Sequence, residues 1–343
     1  MRYIMKTLIS NLKLSGIAAA LPKQTTNLLS LAEKFGVREV GRIIQGTGIK
    51  SIHTAPDYMK ASDLCGASAE VLLKHLQIDP NTIDGIVYIT QMPDRVAPPT
   101  SVMLQHKLGL TKQAVAFDIN YGCSGYMCGL YQAALLISSN SCNRVLVCAG
   151  DVITKLVHED DIGLRMLLGD AGTATIVEKG TDEWEIAIYT DGSGADHLTA
   201  GALLPTQIAQ KSERHNYYYM DGKAVMNFAL GPVVHDVVQE VCAAKNWPKH
   251  DITLFMHQAN AFMVNLLRLK IGLKEDRVPI AVETTGNTGA ASIPLMLSMT
   301  GDYFKEAGKL TKSILCGFGV GLSWGAIGLD LSQTQIIKPI EIE

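Results

Sequence analysis

Three residues in glycine-rich or amide-rich segments carry the groups that acyl chemistry needs. Cys123 lies in Gly-Cys-Ser-Gly after an apolar run, which predicts a nucleophile on a tight turn from a strand to a helix. His257 opens His-Gln-Ala-Asn, and Asn287 lies in Gly-Asn-Thr-Gly. A thiol can be acylated, an imidazole can transfer a proton, and a carboxamide can only donate and accept hydrogen bonds. Together they predict an enzyme that carries an acyl group on sulfur.

Each residue taken alone has an ordinary structural explanation. Cys123 could be a small buried hydrophobe, because free cysteines are often buried. His257 could end a strand and cap the next helix, and Asn287 could be a turn residue that tolerates a left-handed backbone. Their combination favours catalysis. We then expect His257 to activate or pair with a thiolate and Asn287 to donate to an enolate oxygen.

The surroundings of Cys123 lead to two further expectations. The helix that should begin near Ser124 would place its positive end beside the sulfur, so we expect the pKa of the thiol to fall. Gly122 and Gly125 are expected to permit the turn and the close approach of a substrate arm.

A second glycine-rich segment, Gly-Phe-Gly-Val-Gly, follows a late strand. Its spacing is neither that of a dinucleotide-binding motif nor that of a P-loop. Free N–H groups around Val320, with Phe318 and Gly321 in the same loop, predict an oxyanion hole that the N–H of Cys123 would complete. The alternative is a tight turn between two strands.

The chain also repeats itself at a nearly constant separation of about half its length. The matched pairs are Ile86–Gln91 with Leu254–Gln258, Leu108–Leu110 with Ile271–Leu273, Gly122–Gly125 with Gly286–Gly289, and Val145–Cys148 with Ser313–Cys316. This pattern predicts two copies of one α/β unit, residues 1–180 with the nucleophile and residues 181–343 with the histidine and asparagine. A pseudo-twofold axis would then bring Cys123 and Asn287 together.

Strand patterns alternate with helix patterns along both halves, which predicts an α/β fold with a mostly parallel, covered sheet. Strands are predicted at Leu14–Ala20, Ile83–Gln91, Ala114–Asn120, Asn143–Ala149, Ala174–Glu178, Trp184–Thr190, Ile252–His257, Val278–Glu283, Lys312–Gly317 and Ala326–Leu331. Helices are predicted at Ala61–Leu76, Gly125–Ser139, Gly222–Lys245, Ala259–Ile271 and Ser292–Ala307. The polar stretch Thr190–Tyr218 is predicted to be an irregular connection.

Composition excludes several functions. The 343 residues include 47% hydrophobic and 18% charged residues with a net charge of −3, and no basic run predicts nucleic-acid binding. No Cys/His spacing indicates a zinc site, and no apolar run is long enough to span a membrane. The segment Met1–Pro22 is interrupted by polar residues and favours a strand over a signal peptide. Seven cysteines without paired spacing indicate reduced thiols, and hence a cytoplasmic protein.

With these motifs, the sequence resembles β-ketoacyl-acyl carrier protein synthase III, a condensing enzyme of the thiolase superfamily. The resemblance is carried by Cys123–Gly125, His257–Asn260, Gly286–Pro294 and Phe318–Gly325, with weaker matches at Thr47–Ile49 and Leu168–Gly172. It implies a five-layered αβαβα fold, a homodimer and a Cys-His-Asn triad. It also implies acyl transfer to Cys123, followed by decarboxylative condensation with a malonyl-type thioester. The substrates would be coenzyme A or acyl-carrier-protein thioesters, without a resident cofactor.

Several positions depart from the family pattern and bear on the substrate. Arg42 and Gly46 stand where a tryptophan and an arginine usually hold the coenzyme A nucleotide. Arg268 and Lys270 remain on the helix that often docks the carrier protein, although Phe262 replaces a basic residue there. We therefore regard Arg42, Arg268 and Lys270 as candidate contacts for coenzyme A or the carrier.

The loop before Pro98 has Val96 and Ala97 where a bulky aromatic residue often narrows the acyl pocket. This difference predicts a preference for donors longer than acetyl, in fatty acid or specialised polyketide and lipid biosynthesis.

Two other functions stay open at this point. The acyl-cysteine could pass its group to an oxygen or nitrogen nucleophile, giving an ester or amide without decarboxylation. The chain could also be the partner subunit of a condensing heterodimer, although an intact Cys123 argues against that. Degradative thiolases fit less well, because they use a second catalytic cysteine and Cys316 is displaced from its position.

Overall fold

The computed structural model describes residues 6–199 and 217–343. In these ranges the strands are β1 Lys6–Pro22, β2 Thr25–Asn27, β3 Ser51–His53, β4 Gly85–Ile89, β5 Val115–Ile119, β6 Arg144–Asp151, β7 Ala171–Lys179, β8 Asp182–Thr190, β9 Leu198–Thr199, β10 Tyr219–Met220, β11 Thr253–Met256, β12 Ser313–Gly319, β13 Ser323–Leu329, β14 Gln335–Ile336 and β15 Ile340–Ile342. The α-helices are α1 Ala32–Phe35, α2 Val37–Thr47, α3 Ala61–Leu76, α4 Thr100–Lys107, α5 Gly125–Ser138, α6 Ile162–Arg165, α7 Gly222–Leu230, α8 Pro232–Ala244, α9 Ala261–Ile271 and α10 Ser292–Glu306.

Two matched strand orders meet where β1 pairs with β8. One half has the order β1-β7-β6-β4, extended by β5, and the other has the order β8-β13-β12-β11. In each half a parallel pair, β4/β6 or β11/β12, is followed by an antiparallel pair, β6/β7 or β12/β13. β1 pairs with β8 near its start and with β7 from Leu12 to Ala20, and between the two runs Asn11 adopts a φ of +64°. The two halves are therefore duplicated, as the sequence repeats predict.

The prediction of a mostly parallel sheet is wrong, because antiparallel pairs join β12 to β13, β13 to β8, β8 to β1, β1 to β7 and β7 to β6. The connection from β12 to β13 is only three residues long, and parallel neighbours need a crossover of a dozen residues or more.

Five layers result from burying both faces of each half-sheet. Along β4, Ile86 and Tyr88 pack with α3 on one outer side, whereas Val87 and Ile89 face the centre. The helices α5 and α10 fill the space between the two half-sheets, and α8 and α9 cover the other outer side. Because alternate residues of a strand point to opposite faces, both sets must be apolar. This confirms the αβαβα arrangement.

Two other predicted elements differ from the structure. The predicted helix Gly222–Lys245 is two helices, because Pro232 lacks an N–H and begins α8 at its first turn. The predicted strand Val278–Glu283 is irregular, because its main chain bonds elsewhere: Ala281 N–H donates to the Gln258 side chain at 2.9 Å, and the Glu283 carbonyl accepts from Lys50.

The stretch predicted to be an irregular connection contains a 3-10 turn, Gly192–His197, and the short strand β9, and its residues 200–216 lie outside the described residues. Among the helices of residues 6–199 and 217–343, none has the length and apolarity to cross a membrane.

Candidate active site

Cys123, His257 and Asn287 line one cavity of about 290 Å³ between the two halves. Cys123 lies just before α5, His257 directly follows β11, and Asn287 lies in the turn before α10. The equivalent turns of the two halves thus meet, as the repeat predicts. Most of the lining is apolar; other lining residues include Gln91, Leu168, Leu198, Tyr218, Met220 and Met263.

The Cys123 thiol is almost fully buried, with 7% of the residue exposed. Burial raises the pKa of the thiol to about 12, although the main-chain N–H groups of Val320 and Cys123 act in the opposite direction. The expectation of a lowered thiol pKa is therefore wrong, because loss of hydration outweighs the main-chain hydrogen bonds to the sulfur. At neutral pH the thiol is protonated.

The glycines around Cys123 make room for the protein's own side chains. A Cβ on Gly122 would lie 2.8 Å from Val320 Cγ2 and 2.9 Å from Gln91 Oε1, and one on Gly125 would lie 2.5 Å from Ile89 Cγ2. Packing of the protein itself thus requires glycine at both positions, and the expected approach of a substrate arm stays a prediction. Gly319 packs directly on the nucleophile, because a Cβ there would lie 3.0 Å from Cys123 Sγ.

His257 is held at both its main chain and its ring. Its N–H donates to the Cys316 carbonyl at 2.8 Å, Nδ1 lies 2.7 Å from Ser292 Oγ, and the Phe318 ring packs edge-on at 5.4 Å. Burial lowers the pKa of His257 to about 3, so the imidazole is neutral. With a protonated thiol beside it, a resting thiolate–imidazolium pair is unfavourable, contrary to the pairing considered from the sequence.

The partners of Ser292 favour one tautomer of the imidazole. Ser292 Oγ accepts a long hydrogen bond of 3.5 Å from the Gln258 N–H, so its own proton is available to Nδ1. If Nδ1 accepts, the hydrogen of a neutral imidazole is on Nε2. His257 then offers a hydrogen-bond donor at Nε2, because no side chain among the described residues bonds to that atom.

Asn287 is fixed in a similar way. Its main chain bridges Leu168, donating to the Leu167 carbonyl at 2.8 Å and accepting from the Gly169 N–H at 3.1 Å. Its side-chain Oδ1 accepts from the Gly289 N–H at 3.0 Å. Because the oxygen is committed to Gly289, the amide nitrogen Nδ2 is the group left to donate.

The loop predicted as the oxyanion hole is only partly at the cavity. The N–H of Val320 lies against Cys123 and lowers its pKa, and Phe318 forms part of the cavity wall. Gly321 does not line the cavity; it lies in the turn between β12 and β13, with a φ of +139°.

The three candidate contacts lie away from the cavity lining, and the side chain of Arg268 is only 11% exposed. Arg42, on α2, is paired with Glu39 at 2.5 Å. Arg268 donates to the Leu273 carbonyl at 3.0 Å, and Lys270 donates to the Gly231 carbonyl at 2.7 Å. Their role toward coenzyme A or a carrier protein stays a prediction.

The substrate loop and Cys316 are also placed. Val96 is 88% exposed on the loop before Pro98, so it forms no wall of the cavity in one chain. Cys316 packs in the outer apolar cluster with Leu254 and Met256, which agrees with its predicted displacement from catalysis. The described ranges contain no cluster of residues that could hold a metal ion.

Two cavity residues were missed by the sequence reasoning, Gln91 and Tyr218. The Tyr218 hydroxyl donates to Gln91 Oε1 at 3.2 Å, and Gln91 Nε2 donates to the buried Asp151 carboxylate at 3.2 Å. Gln91 could have been found, because it is the repeat equivalent of Gln258. Tyr218 follows an irregular stretch and gives no such signal.

Comparisons with known proteins agree with this geometry. Residues 117–196 match the family model for 3-oxoacyl-[acyl-carrier-protein (ACP)] synthase III, and residues 242–331 match the model for its C-terminal part. A β-ketoacyl-[acyl-carrier-protein] synthase III of Streptococcus sanguinis is 31% identical over 320 residues, covering 92% of this chain and 98% of that relative.

Solved structures give the same match in three dimensions. A 3-oxoacyl-(acyl-carrier protein) synthase from Burkholderia xenovorans superposes with a TM-score of 0.94 at 31% identity, covering 100% of both chains. A priming β-ketosynthase of a polyketide biosynthetic pathway superposes with a TM-score of 0.81 at 26% identity, covering 94% of this chain and 96% of that one.

Proposed function

Because the chain belongs to the β-ketoacyl-[acyl-carrier-protein] synthase III family, we propose that Cys123, His257 and Asn287 form the catalytic triad of an acyl-thioester condensing enzyme. The protein is an acyltransferase of the condensing type, with the thiolase-like fold of that family. The observation that carries the triad assignment is that one cavity is lined by the Cys123 thiol and by two hydrogen-bond donors, His257 Nε2–H and Asn287 Nδ2–H, that no described side chain occupies.

In the first half-reaction Cys123 takes the acyl group. Its sulfur attacks the carbonyl of an acyl thioester, and the bond from that carbonyl to the donor sulfur breaks. The thiol proton of Cys123 ends on the departing thiol, which balances the step. The N–H groups of Cys123 and Val320 stabilise the negative oxygen of the tetrahedral intermediate.

In the second half-reaction a malonyl-type thioester loses carbon dioxide. The electron pair of the broken bond forms an enolate, and His257 Nε2–H and Asn287 Nδ2–H donate to its oxygen. The enolate carbon then attacks the acyl-cysteine carbonyl and forms the new carbon–carbon bond. The sulfur of Cys123 leaves and regains a proton.

Condensation is favoured over ester or amide formation by the state of His257. A hydroxyl or an ammonium group is a much weaker nucleophile than a thiol and needs a base that removes its proton. An imidazole with a pKa of about 3 and its hydrogen on Nε2 is a poor base toward the cavity but a good donor to an enolate. The intact Cys123 is equally at odds with a non-catalytic partner subunit.

The donor is proposed to be an acyl-coenzyme A or acyl-carrier-protein thioester, with the acyl carrier protein as partner and no resident cofactor. A homodimer and a cytoplasmic location are proposed as well. The location is supported by the seven cysteines, all of which are free. Arg268 and Lys270 remain the candidate contacts for the carrier.

Three alanine variants test the triad. Cys123→Ala should abolish the acyl adduct seen by intact mass spectrometry, whereas the control Cys128→Ala, on the helix α5 that follows Cys123, should keep it. His257→Ala and Asn287→Ala should still be acylated but should condense roughly 10²–10³-fold more slowly, because each loses one donor to the enolate. An undiminished adduct on Cys123→Ala, or condensation at the wild-type rate in both other variants, would overturn the proposal.

A further inference from the structure

Gln91 is the centre of a polar chain that reaches the cavity. Its main-chain N–H donates to Asp151 Oδ1 at 2.7 Å, and its side-chain Nε2 donates to Asp151 Oδ2 at 3.2 Å. Its Oε1 accepts from the Tyr218 hydroxyl at 3.2 Å. Gln91 and Tyr218 both line the cavity, and Asp151 lies behind them, fully buried.

The charge of Asp151 fixes the direction of every bond in this chain. Asp151 also accepts from Thr90 Oγ1 at 2.8 Å, and although burial raises the pKa of Asp151 to about 6, it remains largely ionised at pH 7 and above. A carboxylate only accepts, so Gln91 must turn its NH₂ group toward it. Oε1 then faces Tyr218, and the Tyr218 hydroxyl must use its proton on Gln91.

This direction leaves the Tyr218 oxygen as an acceptor. Burial raises the pKa of Tyr218 well above its usual value, so the phenol keeps its proton. With that proton committed to Gln91, only the lone pairs of the oxygen remain for a ligand. The rest of the surrounding wall includes Leu168, Leu198 and Met220, which offer neither a donor nor an acceptor.

The hydrogen-bonded side chains of Tyr218, Gln91 and Asp151 lie directly beside the reacting groups. A Cβ on Gly122, which precedes Cys123, would lie 2.9 Å from Gln91 Oε1. A Cβ on Gly289, which donates to Asn287, would lie 3.1 Å from Asp151 Oδ2 and 3.6 Å from Gln91 Nε2. Glycine at these two positions is what lets Gln91 pack between the turns that carry Cys123 and Asn287.

We propose that Tyr218, oriented by Gln91, selects acyl groups that carry a hydroxyl close to the thioester over unsubstituted acyl groups of the same length. This inference rests on the proposed acylation of Cys123. A hydroxyl on the acyl chain can donate to the Tyr218 oxygen, whereas an alkyl chain covers that oxygen without a donor. A site built to bond a substrate hydroxyl discriminates against the analogue that lacks it, because the lone pairs of the buried Tyr218 oxygen are then covered without a donor.

The test compares the rate of Cys123 acylation by butyryl-coenzyme A with the rates for 2-, 3- and 4-hydroxybutyryl-coenzyme A, followed by intact mass spectrometry. In the wild type at least one hydroxybutyryl donor should exceed butyryl by about tenfold in kcat/KM, the value of one ordinary hydrogen bond. Tyr218→Phe should remove that preference while keeping acylation by butyryl. Tyr219→Phe, a change of the same kind at a residue that does not line the cavity, should leave it intact.

A second variant reverses the donor direction. In Gln91→Met the Tyr218 hydroxyl loses its acceptor and becomes free to donate to a ligand carbonyl. The kcat/KM for acylation by acetoacetyl-coenzyme A should therefore rise relative to that for the favoured hydroxybutyryl donor. A wild type that prefers butyryl to every hydroxybutyryl isomer, or a preference unchanged in Tyr218→Phe, would overturn the inference while acylation itself upholds the proposed function. Failure of every donor to acylate the wild type would instead overturn the proposed function, and this inference with it.

Discussion

The hydrogen bond between Ser292 and His257 should matter for condensation and not for acylation. Ser292→Ala removes the group that lies 2.7 Å from Nδ1 and so releases the imidazole from the tautomer with hydrogen on Nε2. Losing a buried hydrogen bond of this kind costs about 1–3 kcal/mol. If that cost falls on the donor to the enolate, condensation should slow by roughly 10- to 100-fold, since about 1.4 kcal/mol corresponds to tenfold in rate.

Two rates and one spectrum distinguish this effect from general damage. The rate of Cys123 acylation comes from intact mass, the rate of condensation comes from product formed with a malonyl thioester, and ¹⁵N shifts of the His257 ring report the tautomer. The matched control is Ser298→Ala on the same helix, because Ser298 Oγ is buried without a hydrogen-bond partner among the described residues. Equal losses in both half-reactions, or a ring spectrum identical to that of the wild type, would refute the reasoning.

Two further predictions follow from burial and close packing. Burial lowers the folded-state pKa of His257 to about 3, so the contribution of His257 to stability is present above its unfolded pKa of about 6.5 and is lost as the pH falls. Between pH 7 and pH 5 the free energy of unfolding should therefore fall by about 2 kcal/mol more in the wild type than in His257→Ala, measured by urea denaturation at both pH values. Equal losses in the two proteins would contradict the buried neutral imidazole. Gly319→Ala places a Cβ 2.6 Å from Cys123 Cβ at a φ of +153°, so the rate of Cys123 acylation should fall at least 100-fold. The control Gly41→Ala, with open space around it, should have no effect. Acylation of Gly319→Ala at the wild-type rate would show that the loop can move aside.

The sequence predicts those site residues that lie in segments repeated between the two halves. The segments around Cys123 and Asn287 match each other along the chain, and equivalent turns of a duplicated fold must lie near the same axis. His257 follows an apolar run typical of a buried strand, which predicts its place at a strand end. The likeness of the two halves follows from the same duplication, and the bounds of α3, Ala61–Leu76, are those predicted.

What could not be predicted depends on residues distant in the chain. The pKa of Cys123 is raised by its burial, whereas its place before the N-terminus of a helix predicts a lowered pKa. Tyr218 reaches Gln91 across 127 positions of the sequence, and neither residue lies in a motif that indicates the contact. The sequence of Val278–Glu283 suits a strand, yet the Gln258 side chain takes the main-chain N–H of Ala281.

The strand β1 has a consequence for the order in which this chain can fold. Its residues pair with β7 and β8, which end at Thr190, and also with β14 and β15, so that Pro22 finds its partner in Ile342. During synthesis β1 is therefore made more than three hundred residues before β15, with which it pairs. Contacts so far apart in sequence form slowly, and a waiting apolar strand can pair with other chains. Part of β1 thus stays open to such pairing until β14 and β15 have been made.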